Sequence, residues 1–152
     1  RRAVSGVTGD RSDTDLRRVR ALAVHTDDVL DALEARERSG TNVVLRTLPP
    51  FSGRMRARLH VVEGASGDVE PGAVHFHPGV FVDSVPPYPR VDDTADELRD
   101  EGAYDVAVHR ERHERAVAEW RETVRSRRRE ALVLSDPSWS EASVTLRVNY
   151  LG

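Results

Sequence analysis

Cysteine is absent from the chain, and with it go disulfides, thiolate metal sites and cysteine nucleophiles. Lysine is absent as well: all 23 basic residues are Arg. The guanidinium fork that remains grips carboxylates and phosphates bidentately, although GC-rich coding produces the same bias and counting alone does not make it functional. No apolar run approaches the roughly 18 residues that a membrane-spanning helix needs. The opening stretch RRAVSGVTGDRSDTD holds no hydrophobic signal core either, so the expectation is a cytoplasmic protein with no membrane partner. Aromatic residues make up only 5% of the chain, which leaves few rings for stacking on bases. There is no Gly-rich phosphate loop, no nucleophile elbow, and no Ser or Asp at motif spacing from a His. The sequence therefore names no catalytic residue and implies no cofactor.

What is present is a globular composition, 38% hydrophobic and 32% charged with a net charge of -3 over 152 residues, enough chain for one core. Residues 1–15 are expected to form a disordered tail and 16–152 a single domain. VRALAV (19–24) predicts a strand. Thr26 then serves as N-cap of a helix over DDVLDALEARERS, with Val29, Leu30 and Leu33 inward and Gly40 as its stop. NVVLRTL (42–48) and RMRARLHVVE (54–63) predict two strands joined by the turn residues PPFSG. AVHFHPGVFV (73–82) predicts a third, at an edge or bent at Pro78. Thr94 and Glu97 suggest a capping box opening a short helix that Gly102 closes. A long helix follows over 104–129, its apolar stripe traced by Val106, Val117, Trp120 and Val124, with His113 on the same line. ALVL (131–134) and ASVTLRVNYL (142–151) end the chain, the latter with Val144, Leu146, Val148 and Tyr150 inward. The order implies an α+β fold: a mainly antiparallel sheet of five to six strands with three helices packed on one face.

Within RMRARLH, period 2 sends Arg54, Arg56, Arg58 and His60 to one face and Met55, Ala57 and Leu59 to the other. Arg46 and Arg147 are candidates to join the basic set. A row of guanidinium groups about 6.5 to 7 Å apart suits successive phosphates or one polyanionic ligand, and the alternative is a solvated face whose arginines pair with acidic neighbours or meet a second subunit. His75 and His77 are two apart on a strand, and His109 and His113 are four apart on a helix. Both spacings place two imidazoles on one face and make these four the metal-ligand candidates. HRERH departs from the zinc-protease pattern H-E-x-x-H, because Glu111 stands two residues after the first His. RSRRRE (125–130) offsets the negative end of a helix dipole and is a lesser nucleic-acid candidate. Asp136, Trp139 and Glu141 are candidates to line a cleft.

FSGRMRARLH, HFHPGVFV and HRERHERAVAEWRETV together resemble small uncharacterised proteins of salt-loving archaea, over residues 20–150. The resemblance implies no catalytic residue and no cofactor. It does imply a cytoplasm of molar salt, against which the near-neutral net charge stands. The leading reading is a non-enzymatic binding or regulatory module whose basic sheet face contacts nucleic acid or a ribonucleoprotein first, or an acidic protein surface. The alternatives are a small metal-dependent or hydrolytic enzyme using the histidines on an anionic substrate, and a homodimer joined through the open sheet face.

Overall fold

The computed structural model describes residues 15–64, 70–140 and 143–152. Of the tail expected over 1–15, all but Asp15 lies outside the described residues. The chain divides into two compact units, one comprising the residues up to Phe81 together with Arg129–Gly152, the other Val82–Arg128. The class is α+β, with six strands and three α-helices among the described residues.

The first unit is built on a six-stranded sheet of order β4-β2-β3-β1-β6-β5. A short 3-10 turn, Leu16–Arg18, precedes β1 (Ala21–His25). Helix α1 (Thr26–Ser39) follows directly, then β2 (Val43–Thr47), β3 (Arg54–Val61) and β4 (Val74–Phe76). After a 3-10 turn at Pro78–Phe81, the unit resumes with β5 (Ala131–Leu134) and β6 (Val144–Leu151). The sheet is mixed, which corrects the mainly antiparallel expectation. Central β1 runs parallel to both of its neighbours, β3 and β6. The outer pairs β2–β3, β2–β4 and β5–β6 are antiparallel. Alternating side chains specify a strand's face but not the direction of the strand beside it, so this feature was invisible in the sequence.

One face of the sheet makes the core. Leu22, Val24, Leu45, Ala57, Phe76, Leu132, Leu146 and Val148 are buried there, along with Val29, Leu30 and Leu33 of α1. The direct register places Leu22 beside Met55 and Val148, and Leu132 beside Leu146, so these residues share a side. Gly40 ends α1 at φ +67°, its N–H returning to the Arg36 carbonyl, as the left-handed stop requires. Thr26 is not the N-cap. His25 holds that position without a side-chain bond to the helix N-terminus, and Thr26 is the buried first residue of the helix. The strand expected over 73–82 ends at Phe76, where Pro78 starts the 3-10 turn.

The second unit pairs α2 (Val91–Asp100) with α3 (Val106–Ser126). The expected capping box falls inside α2, which begins three residues before Thr94. Thr94 is buried, with its hydroxyl bonded to the Arg90 carbonyl and to His113 Nδ1. Asp105 caps α3 by accepting from the N–H groups of Ala107 and Val108. Trp120 and Val124 are buried as the stripe predicts; Trp120 donates to the Pro86 carbonyl at 2.9 Å and meets Tyr88 edge-on at 4.9 Å. Val106, placed on the stripe by spacing, is 64% exposed. It is the first residue of its helix, and nothing in the periodicity marks where the packing against α2 begins.

Candidate functional site

The sheet's second face carries the residues that the alternation of RMRARLH singles out. Ladder register brings them together. Arg54 lies beside Ala21, which lies beside Arg147, and the next row is Arg56, Ala23 and Asn149. A third row joins Arg58, Arg46 and His75, while His60 pairs with Val44. The His60 and His75 rings approach to 5.7 Å between centroids. Arg46, Arg54, Arg56, Arg58, His60 and Arg147 thus share one face. Among the described residues no Asp or Glu stands on a strand position of that face.

The two alanines of β1 make the floor of this surface. With neighbouring strands about 4.8 Å apart, Arg54 and Arg147 stand about 10 Å from each other across Ala21, so the methyl groups lie in a trough walled by longer polar side chains. Two hollows open beside it. One, of about 650 Å³, is lined by Ala131, Thr145, Arg147 and Asn149, with Arg20 and Glu130 also contributing. The other, of about 320 Å³, includes Arg46, Leu48, Arg56, Arg58 and His60.

Exposure along β3 is less regular than strict alternation implies. Arg54 and Arg58 are exposed, but Arg56 is partly covered and its Nε is buried with no hydrogen-bond partner. A donor in that state gains from any acceptor that reaches it. On the opposite face Ala57 is buried, Met55 is half-buried and Leu59 is 37% exposed, which corrects the expectation that all three are core. β1 pairs with β3 as far as Val24 beside Ala57, and from Arg58 onward the register joins β3 to β2.

The histidine pairs do not behave as chelates. Period 2 stops before His77, because β4 ends at Phe76, and His77 Nδ1 accepts from the Gly79 N–H at 2.9 Å. Burial, followed by the nearby Arg36 charge, lowers the His77 pKa below the ordinary histidine value. In the helical unit, His109 Nε2 bonds the Val91 carbonyl at 3.1 Å and His113 Nδ1 bonds Thr94 Oγ1 at 3.2 Å, so both imidazoles tie α3 to α2. Among the described residues no group of three or more His, Asp or Glu side chains is placed to hold a metal ion.

The remaining candidates have local roles. Arg125 pairs with Glu122 at 3.0 Å, Arg127 donates to the Ser84 carbonyl, and Arg128 donates to the Arg125 carbonyl. Asp136 accepts from both the N–H and the hydroxyl of Ser138; those bonds, ahead of the Arg17 charge, hold its carboxyl below the usual range. The Arg17 guanidinium lies 5.6 Å from the centre of the Trp139 ring. Glu141 lies outside the described residues. Sequence reasoning missed Ala21, Ala23 and Asn149, since small or neutral residues on a short strand give no signal until their neighbours are known.

The chain matches the family described as Domain of unknown function (DUF8009) over residues 8–152. It belongs to that family. The match takes in both compact units, so the arginine-lined face and the helical pair are both parts of a DUF8009 domain. No curated protein and no solved structure matches the chain. No helix among the described residues is long and apolar enough to cross a membrane.

Proposed function

We propose that this protein is a non-enzymatic binding module of the cytoplasm whose open sheet face contacts a polyanion, with nucleic acid as the first choice. The observation that carries this reading is the one-sided charge of the face. Arg46, Arg54, Arg56, Arg58 and Arg147 occupy it with His60 and His75, and among the described residues no carboxylate shares its strand positions, although the whole chain carries a net charge of -3. Segregation of this kind focuses potential on one surface. The trough over Ala21 and Ala23 lets an extended phosphate backbone lie between Arg54 and Arg56 on one wall and Arg147 and Asn149 on the other. With so few aromatic side chains, recognition rests on phosphate contacts and not on base stacking. In the molar salt implied by the resemblance to proteins of salt-loving archaea, the Debye length is about 3 Å, so close bidentate contacts would supply the affinity.

The enzyme reading lacks comparable support, because three of its four histidines spend a ring nitrogen on a structural hydrogen bond. The test compares the parent with an Arg54→Gln, Arg56→Gln, Arg58→Gln variant, titrated into fluorescent single-stranded RNA of mixed sequence over a salt series. Losing three phosphate contacts should flatten the slope of log affinity against log salt by roughly 2 to 3 units. Folding stability should change by no more than about 1 kcal/mol for each exposed arginine. A parent that does not bind RNA at low salt, or a folded triple variant that binds equally well, would overturn the proposal.

A further inference from the structure

The two edges of the sheet are not alike. On one side β4 is only three residues long and is followed, after one residue, by Pro78, so little open ladder is offered. Short edges and proline are the usual protections against strand pairing. On the other side β5 is the segment ALVL, with no proline, no charge and an unbroken register against β6. Val133 is 70% exposed on it.

The direction of the free backbone groups follows from the ladder. Val148 N–H donates to the Glu130 carbonyl at 2.9 Å. In an antiparallel pair the groups of alternate residues point to the same neighbour, so Leu132 and Leu134 address β6 while Ala131 and Val133 aim their N–H and C=O groups outward. One step earlier the outward side is already in use: Arg129 N–H donates to the Phe81 carbonyl at 2.7 Å, and the Arg129 carbonyl accepts from the Tyr150 hydroxyl. The open stretch therefore starts at Ala131. A groove of about 360 Å³ runs along it, lined mainly by apolar side chains of β5 and by Val80, which is 41% exposed.

We infer that the β5 edge is a dimer interface, pairing antiparallel with β5 of a second copy of this chain. A two-fold axis perpendicular to the sheet makes such a contact isologous, and it admits registers centred on Leu132 or on Val133. Strand length chooses between them. Centring on Val133 needs Ser135, one residue past the end of β5, to pair with Ala131. Centring on Leu132 sets Ala131 against Val133, for four backbone hydrogen bonds, and keeps both hydrogen-bonded pairs within β5. The ALVL segment is uncharged in both copies, so a second β5 meets it with no like charges opposed. Because the axis is perpendicular to the sheet, the two arginine faces lie on the same side of the joined sheet. The inference does not depend on what those faces bind.

The experiment is sedimentation equilibrium of the parent and of Val133→Pro up to the highest soluble concentration. Proline removes one outward N–H and none that serves β6, a substitution that edge strands tolerate. The parent should reach twice the 17.0 kDa of the chain, while Val133→Pro should stay at the single-chain mass with an unchanged circular dichroism spectrum. A parent that remains monomeric, or a folded Val133→Pro that still dimerises, would overturn the inference. If Val133→Pro loses its fold, the decision passes to an Ala131→Cys, Val133→Cys variant, whose thiols are the only ones in the chain. Disulfide-linked dimer on oxidation supports the pairing, and its absence overturns it. Linkage through Val133→Cys alone would overturn the Leu132-centred register.

Discussion

Strands β3 and β6 are the two longest in the sheet, both eight residues and both alternating in sequence, yet they bury their apolar sides to different degrees. In β6, Leu146 and Val148 are buried and Val144 and Tyr150 are half-buried, as the alternation implies. In β3 only Ala57 is buried, and Leu59 is more exposed than Met55. The ladders do not separate them: β6 has β5 along Val144–Arg147 and β1 along Arg147–Leu151, much as β3 has β1 along Arg54–Ala57 and β2 along Arg58–Val61. Alternation reports which side a residue faces, and what packs over that side decides how much water it loses. Helix α3 repeats the lesson with period 3.6, since Trp120 is buried and Val106 is not although both lie on the apolar stripe.

The sharpest test of this contrast lies in the helical pair. Trp120→Ala should cost about 3 to 5 kcal/mol as a large-to-small change in a packed site, whereas Val106→Ala should stay within about 0.5 kcal/mol. Urea unfolding followed by circular dichroism measures both, and equal costs would mean that the whole stripe is core. The same comparison within the sheet is Leu146→Ala against Leu59→Ala. The first should cost about 2 to 5 kcal/mol and the second about 1 kcal/mol, because less apolar surface returns to water. A Leu59→Ala loss as large as that of Leu146→Ala would show that β3 is covered along its full length.

The smallest expected effect concerns His77. Its pKa is lowered, chiefly by burial, so the folded state favours the neutral ring. The associated stability is complete above the ordinary histidine range and is lost as pH falls through the lowered value. Melting temperature should therefore drop slightly more between neutral and mildly acidic pH in the parent than in His77→Asn. An identical pH response in the two proteins would remove any role for this ring.

By itself the sequence determined the elements and the basic row. Hydrophobic period placed α1 within a residue of Thr26–Ser39 and β5 at Ala131–Leu134, and Gly40 marked a stop that only a left-handed residue makes cheaply. The alternation of Arg54, Arg56 and Arg58 was legible because period 2 is a property of the single strand. Boundaries set by contacts were less so: Thr94 resembled a cap but is buried in α2, because a Ser or Thr three residues before an acid reads alike in both places. Only the tertiary structure decided that Arg54 and Arg147, 93 positions apart in number, flank Ala21. It also decided that β1 is parallel to both neighbours and that, among the described residues, no strand pairs with the outer edge of β5. Pairing partners are chosen by the summed burial and hydrogen bonding of distant segments, and no local pattern encodes that sum.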